Sequence, residues 1–212
     1  MFKCGDYFWP DRPGPGAEDF IRGQEDAAAY YAQLVPVPRR IAVCAGANVG
    51  IMPRIYARYF QRVYAFEPDP ENFFCLNSNI VPCESAGDVT TMNIGLGGEF
   101  AEAYLYHDPE NCGASYVLKN EAEKLYPIAL MALDTFDIQS VDLLQLDVEG
   151  MELPALRGAE RTIVSCRPVI IVEMKHGERY GWLPEDMEGF MGRLGYKFDH
   201  YRRNDWIYRH QG

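Results

Sequence analysis

The chain has 212 residues, 48% of them hydrophobic and 24% charged, which fits one globular domain with room for a substantial core. Its net charge of −11 argues against nucleic acid and anionic membranes as partners, and Arg202 and Arg203 near the C-terminus read as solvated turn charges rather than a binding patch. No apolar run reaches transmembrane length, no apolar segment follows the first residues as a signal peptide would require, and six cysteines without a C-x-x-C or zinc spacing read as free thiols, so a cytoplasmic protein is expected.

Residues 1–17 hold Trp9, Pro10, Pro13 and Pro15 among glycines and read as an irregular lead-in. A helix is predicted over 17–34, with Glu18 and Asp19 suited to its first turn and Val35 to Pro38 ending it. Residues 1–39 are thus expected to pack on a domain spanning 40–212. That domain opens with a strand over 41–45, a turn Gly46-Ala-Asn-Val-Gly50, and a helix from about residue 48 with Pro53 tolerated early. A strand over 63–66, a helix over 70–79 and a strand over 89–94 follow. Residues 96–133 break this rhythm, with strands over 103–106 and 128–133 flanking a loop, and read as an insertion of the kind that often carries function. The rhythm then resumes with a strand over 141–146 and a helix over 152–164. The apolar run 169–173 reads as a strand buried on both faces. A short helix over 184–194 and a hairpin of 196–201 with 205–209 close the chain. The alternation implies an α/β fold with a mainly parallel, doubly wound sheet closing on an antiparallel hairpin, whose ligands bind beyond the carboxyl ends of the strands.

The first strand and turn are followed by VYAFEP, an apolar run ending on Glu67, 21 positions after Gly46. Small residues let a ligand approach the backbone, a helix N-terminus offers N–H groups, and a carboxylate at the next strand tip suits a ribose diol. A nucleoside-containing cofactor is the expectation. The turn lacks the G-x-G-x-x-G of dinucleotide sites, which disfavours an NAD-dependent oxidoreductase, and no triphosphate loop is present. S-adenosyl-L-methionine carries a ribose and no phosphate, so it needs no pyrophosphate cradle. A tight turn in an ordinary α/β domain is the plain alternative.

Four ordered blocks over roughly residues 40–175 carry a more specific likeness: GANVG, VYAFEPDPENFFCLNSN, VDLLQLDVEGMELPALRGAERTI and RPVIIVEM. Together they resemble the FkbM family of S-adenosylmethionine-dependent methyltransferases, and LDVEGMELPALRGA is the most specific of them. The resemblance implies a Rossmann-like class I methyltransferase fold and methyl transfer to oxygen. The acceptor it implies is a small molecule or glycan: a sugar, a glycolipid or a polyketide-like compound. Two positions depart from the family pattern: Cys44 stands where the family usually has Asp, and Gln145 where it usually has Lys. An acid at position 44 normally helps to hold the amino end of the cofactor, so restoring Asp there is expected to tighten cofactor binding. A non-catalytic binding protein of the same fold is the alternative that Cys44 raises.

In this frame Gly46, Ala47, Asn48 and Gly50 are expected against the methionine part of the cofactor through their backbone. Glu67, followed by Pro68, is expected to accept both ribose hydroxyls, and Asn93 to reach the adenine amino group. Asp147, Glu149 and Glu152 lie where a strand turns into a helix, and alternation points the first two the same way. Asp147 tips that strand and Glu173 the neighbouring one, with His176 three residues on. These three are the expected catalytic groups, Asp147 also touching cofactor, because removing a hydroxyl proton needs a base poised near neutral pH. His107 in the insertion is a second candidate base. Asp147, Glu173 and His176 carry ligand types for Mg²⁺ or Mn²⁺, but no dedicated metal spacing is present and no resident metal is expected.

Overall fold

The computed structural model describes residues 1–12, 14, 16–80, 88–118 and 125–212; Pro13 and Pro15 of the lead-in and residues 119–124 of the insertion lie outside that set. A seven-stranded sheet organises the molecule. It is built from β3 (Ile41–Ala45), β4 (Arg62–Phe66), β5 (Asp88–Met92), β10 (Val141–Leu146), β11 (Val169–Glu173), β12 (Tyr196–Arg202) and β13 (Asp205–His210). The order across the sheet is β12-β13-β11-β10-β3-β4-β5, with β13 antiparallel to β11 and to β12 and the other pairings parallel. This is the Rossmann-like methyltransferase architecture expected from the sequence. The reversal between β3–β4 and β10–β11 opens a crevice at the carboxyl ends of β3 and β10, where such folds bind ligands.

Both faces of the sheet are covered. On one, Ala42, Cys44, Val63 and Ile171 pack against α1 (Ala17–Gln33), α2 (Ile51–Tyr56) and α3 (Pro70–Ile80). On the other, Val43, Leu144, Leu146 and Ile170 meet α4 (Glu152–Arg157), α5 (Glu160–Cys166) and α6 (Pro184–Arg193). Every residue of β11 is buried, as its unbroken apolar run predicts. No helix among the described residues is long and apolar enough to cross a membrane.

Four local features differ from the sequence expectation. The lead-in is not irregular throughout: β1 (Phe2–Cys4) and β2 (Tyr7–Trp9) form an antiparallel hairpin. Asn79 fixes it from α3, accepting from the Phe8 N–H at 2.7 Å and donating to the Phe8 carbonyl at 2.9 Å. The first helix of the domain starts at Ile51 rather than near 48, because Asn48 (φ 50°) and Gly50 (φ 91°) hold left-handed conformations incompatible with a helix. The helix expected over 152–164 is two helices. Gly158 presses so close to the Gly97 carbonyl that a Cβ would lie 2.0 Å from it, and Asp134 restarts the helix by accepting from the Arg161 and Thr162 N–H groups at 2.8 and 2.9 Å. The insertion, finally, is a second sheet. It has the order β6-β9-β7-β8, from β6 (Gly95–Leu96), β7 (Ala101–Tyr106), β8 (Tyr116–Leu118) and β9 (Leu125–Met131), with β6 and β8 not foreseen.

Candidate functional site

A cavity of about 430 Å³ lies at the carboxyl ends of β3, β4, β10 and β11. Its floor is the turn after β3. Gly46 (φ 75°) packs so tightly on the strand tip beyond β10 that a Cβ would fall 1.7 Å from the Asp147 carbonyl, so glycine is obligatory there. Four of the five N–H groups of this turn are spent inside the protein. Gly46 and Ala47 both donate to the Phe66 carbonyl at 3.0 Å, Gly50 donates to Ala47 at 2.9 Å, and Asn48 donates to Glu67 Oε2 at 2.7 Å. The sequence expectation of free amide donors is therefore corrected for Gly46, Ala47, Asn48 and Gly50. These residues offer a ligand close approach and carbonyl oxygens, which suit an ammonium group, rather than the nest of N–H groups that a phosphate needs.

Glu67 ends β4 as a buried wall of the cavity. Its Oε2 takes the Asn48 N–H and its Oε1 the Asp69 N–H at 2.9 Å, which locks the carboxylate in place and leaves a lone pair on each oxygen. Burial pushes its carboxyl up to about 8, with those two N–H bonds pulling the other way. Pro68 lines the cavity beside it. Asn93 has a different role from the one expected. Its Nδ2 donates to the carbonyls of Glu67 at 2.8 Å and Pro68 at 3.1 Å, so it braces the turn that carries Glu67, and it is not part of the cavity wall.

Opposite Glu67 stand Asp147, Glu149 and Glu173, with one carboxylate oxygen of each within 4.8 Å of the others. Burial and the neighbouring Glu173 drive the Asp147 carboxyl well above the usual carboxylate range, and the two side chains hydrogen-bond each other. Burial, followed by the same neighbour, pushes Glu149 up to about 7. Lys175, which the sequence reading overlooked, reaches back to hydrogen-bond Glu173 Oε1. Its signal was a cation two positions past a strand-tip acid. His176 also lines the cavity, its Nε2 3.6 Å from Glu149 Oε2. Glu152 turns away from this group. It is wholly buried and accepts the Val148 and Gly150 N–H groups at 2.9 and 3.2 Å, tying the loop between β10 and α4.

Two other candidates leave the site. Cys44 is fully buried in the core beneath α1 and α2, and its thiol donates to Gln145 Oε1 at 2.8 Å. Its side chain does not line the cavity, so it has no part in holding a cofactor's amino end, and burial pushes the thiol well above its ordinary range. His107 faces Asp69, with Nε2 3.0 Å from Oδ2, and packs edge-on to Tyr126, outside the cavity wall.

The roof comes from two distant segments. Trp9 and Phe20 from the lead-in and α1 line the cavity together with residues 111–117, the end of the loop between β7 and β8 and the start of β8. They are joined by the Cys112 N–H to the Arg12 carbonyl at 2.8 Å and the Gly14 N–H to the Glu110 carbonyl at 3.0 Å. Beneath them Arg12 and Asp69 form a buried ion pair at 2.5 Å, to which Ser115 adds its hydroxyl at 3.3 Å. At the rim Arg179 stacks on Tyr116, 3.8 Å from the ring centre, and Tyr180 donates to the Val117 carbonyl at 2.8 Å.

Residues 45–198 match the profile of a family described as the methyltransferase FkbM domain. The chain is 24% identical over 195 residues to Methyltransferase 1 of Beauveria bassiana (strain ARSEF 2860), covering 70% of this chain and 78% of that protein. It is 25% identical over 154 residues to methyltransferase sdnD of Sordaria araneosa, covering 56% and 60%. Among solved structures, the methyltransferase FkbM of Methylobacillus flagellatus KT superposes with a TM-score of 0.55 at 16% identity, covering 91% of this chain and 60% of that one. The magnesium protoporphyrin IX methyltransferase of Synechocystis PCC 6803, solved with bound SAM, gives 0.54 at 10% identity, covering 92% and 81%. At such identities the structural likeness speaks for the fold alone. The chain spans three-fifths of the length of both sdnD and the Methylobacillus protein.

Proposed function

The chain belongs to the methyltransferase FkbM domain family, and from that premise we propose that it transfers the methyl group of S-adenosyl-L-methionine to a hydroxyl of a sugar, glycolipid or other small molecule. The observation that carries this reading is the paired turn and carboxylate. The amides of Gly46, Ala47, Asn48 and Gly50 in the turn after β3 are engaged internally, which suits a cationic amino-acid end better than a pyrophosphate, while Glu67 keeps one lone pair on each oxygen for a ribose diol. That difference disfavours NAD. The cavity also falls in the size range of small-ligand sites.

The bound cofactor supplies a sulfonium methyl already activated for in-line displacement. The chain has to orient the acceptor and take its proton, and holding reactants in line supplies much of the acceleration. Asp147 serves as the base. Burial and Glu173 raise its proton affinity, so once ionised it is a stronger acceptor of a hydroxyl proton than an exposed carboxylate. Glu173, held by Lys175, fixes the Asp147 side chain, and His176 borders the same space. Net charge of −11 supports a small-molecule or glycan acceptor rather than nucleic acid or an anionic membrane.

The test is a methyl-transfer assay with labelled S-adenosylmethionine over a panel of sugars and glycolipids. Asp147→Asn is expected to keep the fold and lower turnover by at least about tenfold. The wild-type rate should rise with pH through one ionisation, and that limb should vanish in the variant. Wild-type turnover in Asp147→Asn on a verified acceptor would remove Asp147 from the chemistry. Binding of NAD in place of S-adenosylmethionine would overturn the cofactor reading.

A further inference from the structure

Trp9 lines the cavity with its side chain 1% exposed, and its Nε1 is buried with no hydrogen-bond partner among the described residues. An indole nitrogen can only donate, and a buried donor left unpaired is costly, so this atom calls for an acceptor that the protein does not supply. The ring packs with Val49 and Ile51, where the turn after β3 leads into α2, and edge-on to Phe20 with 6.0 Å between ring centres. Gln24 lies one helical turn beyond Phe20 on the same face of α1. It is half-buried, lines the same cavity, and its amide makes no hydrogen bond among the described residues. Both residues precede position 45, where the match to the family profile begins.

We propose that Trp9 and Gln24 bind the carboxylate of the methyl donor's amino-acid end, the indole Nε1–H and the amide Nε2–H donating to its oxygens. The assignment rests on the methyl-transfer reading. In that reading the carbonyl oxygens of the turn take the ammonium group, and the carboxylate beside it needs donors. Four of the five turn amides are engaged internally. The other walls carry Glu67, Asp147, Glu149 and Glu173, and the ammonium of Lys175 is drawn to Glu173. Trp9 and Gln24 bring neutral donors, against which a carboxylate meets no like charge. The N-terminal segment is then a working part of the site, reading the amino-acid end of the ligand, while Glu67 reads its ribose.

The experiment measures S-adenosylhomocysteine and methylthioadenosine by calorimetry on the full chain and on Trp9→Phe and Gln24→Glu. The second ligand keeps the adenosine and the sulfur and lacks the amino-acid end. Trp9→Phe keeps an aromatic ring and loses the N–H, whereas Gln24→Glu keeps the shape and sets a like charge against the carboxylate. Each variant is expected to weaken S-adenosylhomocysteine about tenfold or more, the worth of one hydrogen bond to a charged group, and to leave methylthioadenosine within about twofold. Equal losses for both ligands in a folded variant would mean packing alone and overturn the assignment, as would unchanged S-adenosylhomocysteine affinity in either. Circular dichroism checks the fold. If Trp9→Phe does not fold, Gln24→Glu and the Trp9 indole N–H resonance of the unaltered chain carry the test. That resonance should move downfield with S-adenosylhomocysteine and hold still with methylthioadenosine; the same response to both overturns the role of Trp9. An unaltered chain that binds neither ligand overturns the methyl-donor reading and this assignment with it. Binding of both without the selective loss overturns the assignment alone.

Discussion

The two departures from the FkbM pattern, Cys44 and Gln145, face each other on neighbouring strands and share a hydrogen bond. A neutral donor–acceptor pair thus stands where the family pattern has an acid and a base, so the two changes compensate each other in the core. Cys44→Asp alone should bury a carboxylate against an amide and cost about 3–5 kcal/mol of stability, seen in the denaturant midpoint. Adding Gln145→Lys should recover much of that loss; failure to recover would show that the pair is not coupled. Glu67 invites a more conservative change. Alanine would strand the Asn48 and Asp69 N–H groups as well as the ligand, whereas Glu67→Gln keeps one acceptor oxygen. In calorimetry above pH 8, where the Glu67 carboxyl is ionised, Glu67→Gln should weaken S-adenosylmethionine by about 1.5–3 kcal/mol, the worth of a hydrogen bond to a charged group. Unchanged affinity would remove Glu67 from the ribose site.

The loop between β10 and α4 shows how one acid is diverted to architecture. Glu152 holds the Val148 and Gly150 N–H groups, and burial pushes its carboxyl up to about 8 from an ordinary 4.5. The folded state therefore keeps a proton that the unfolded chain releases, and stability should fall as pH rises between about 4.5 and 8. Thermal melts across that window should show a shallower fall in Glu152→Gln; an identical slope would mean that Glu152 is not the group responsible. The sequence marked the central elements well because their signals are local. Apolar runs bounded by turns give β3, β10 and β11 their limits, and the GANVG turn and the strand-tip acids Glu67, Asp147 and Glu173 follow from those limits. The remainder depended on partners far along the chain. The N-terminal hairpin is clamped by Asn79, the break between α4 and α5 is imposed by Gly97, and Asn93 was drawn from the adenine to the Glu67 carbonyl. Nothing within a few residues of any of these positions announces the contact.

At the scale of the whole molecule, the seven-stranded sheet supplies the floor of the cavity and the inserted sheet, with the N-terminal segment, supplies its cover. The cover is fastened by the buried Arg12–Asp69 pair, which draws together residues 57 positions apart and takes in Ser115 from the insertion. Arg12→Ala leaves Asp69 buried without its guanidinium, and removing one partner of such a pair is strongly destabilising locally. S-adenosylhomocysteine should then leave faster, by about tenfold or more in stopped-flow release, a shift of about 1.4 kcal/mol in the barrier. An unchanged release rate would mean that the ligand exits elsewhere. The fastening also has a meaning in time. A nucleoside enclosed beneath two segments from opposite regions of the chain departs at the pace at which those segments part, so spent product lingers according to the strength of a contact that never touches it. Turnover would then be clocked at the roof, and the acids at the strand tips would wait on it.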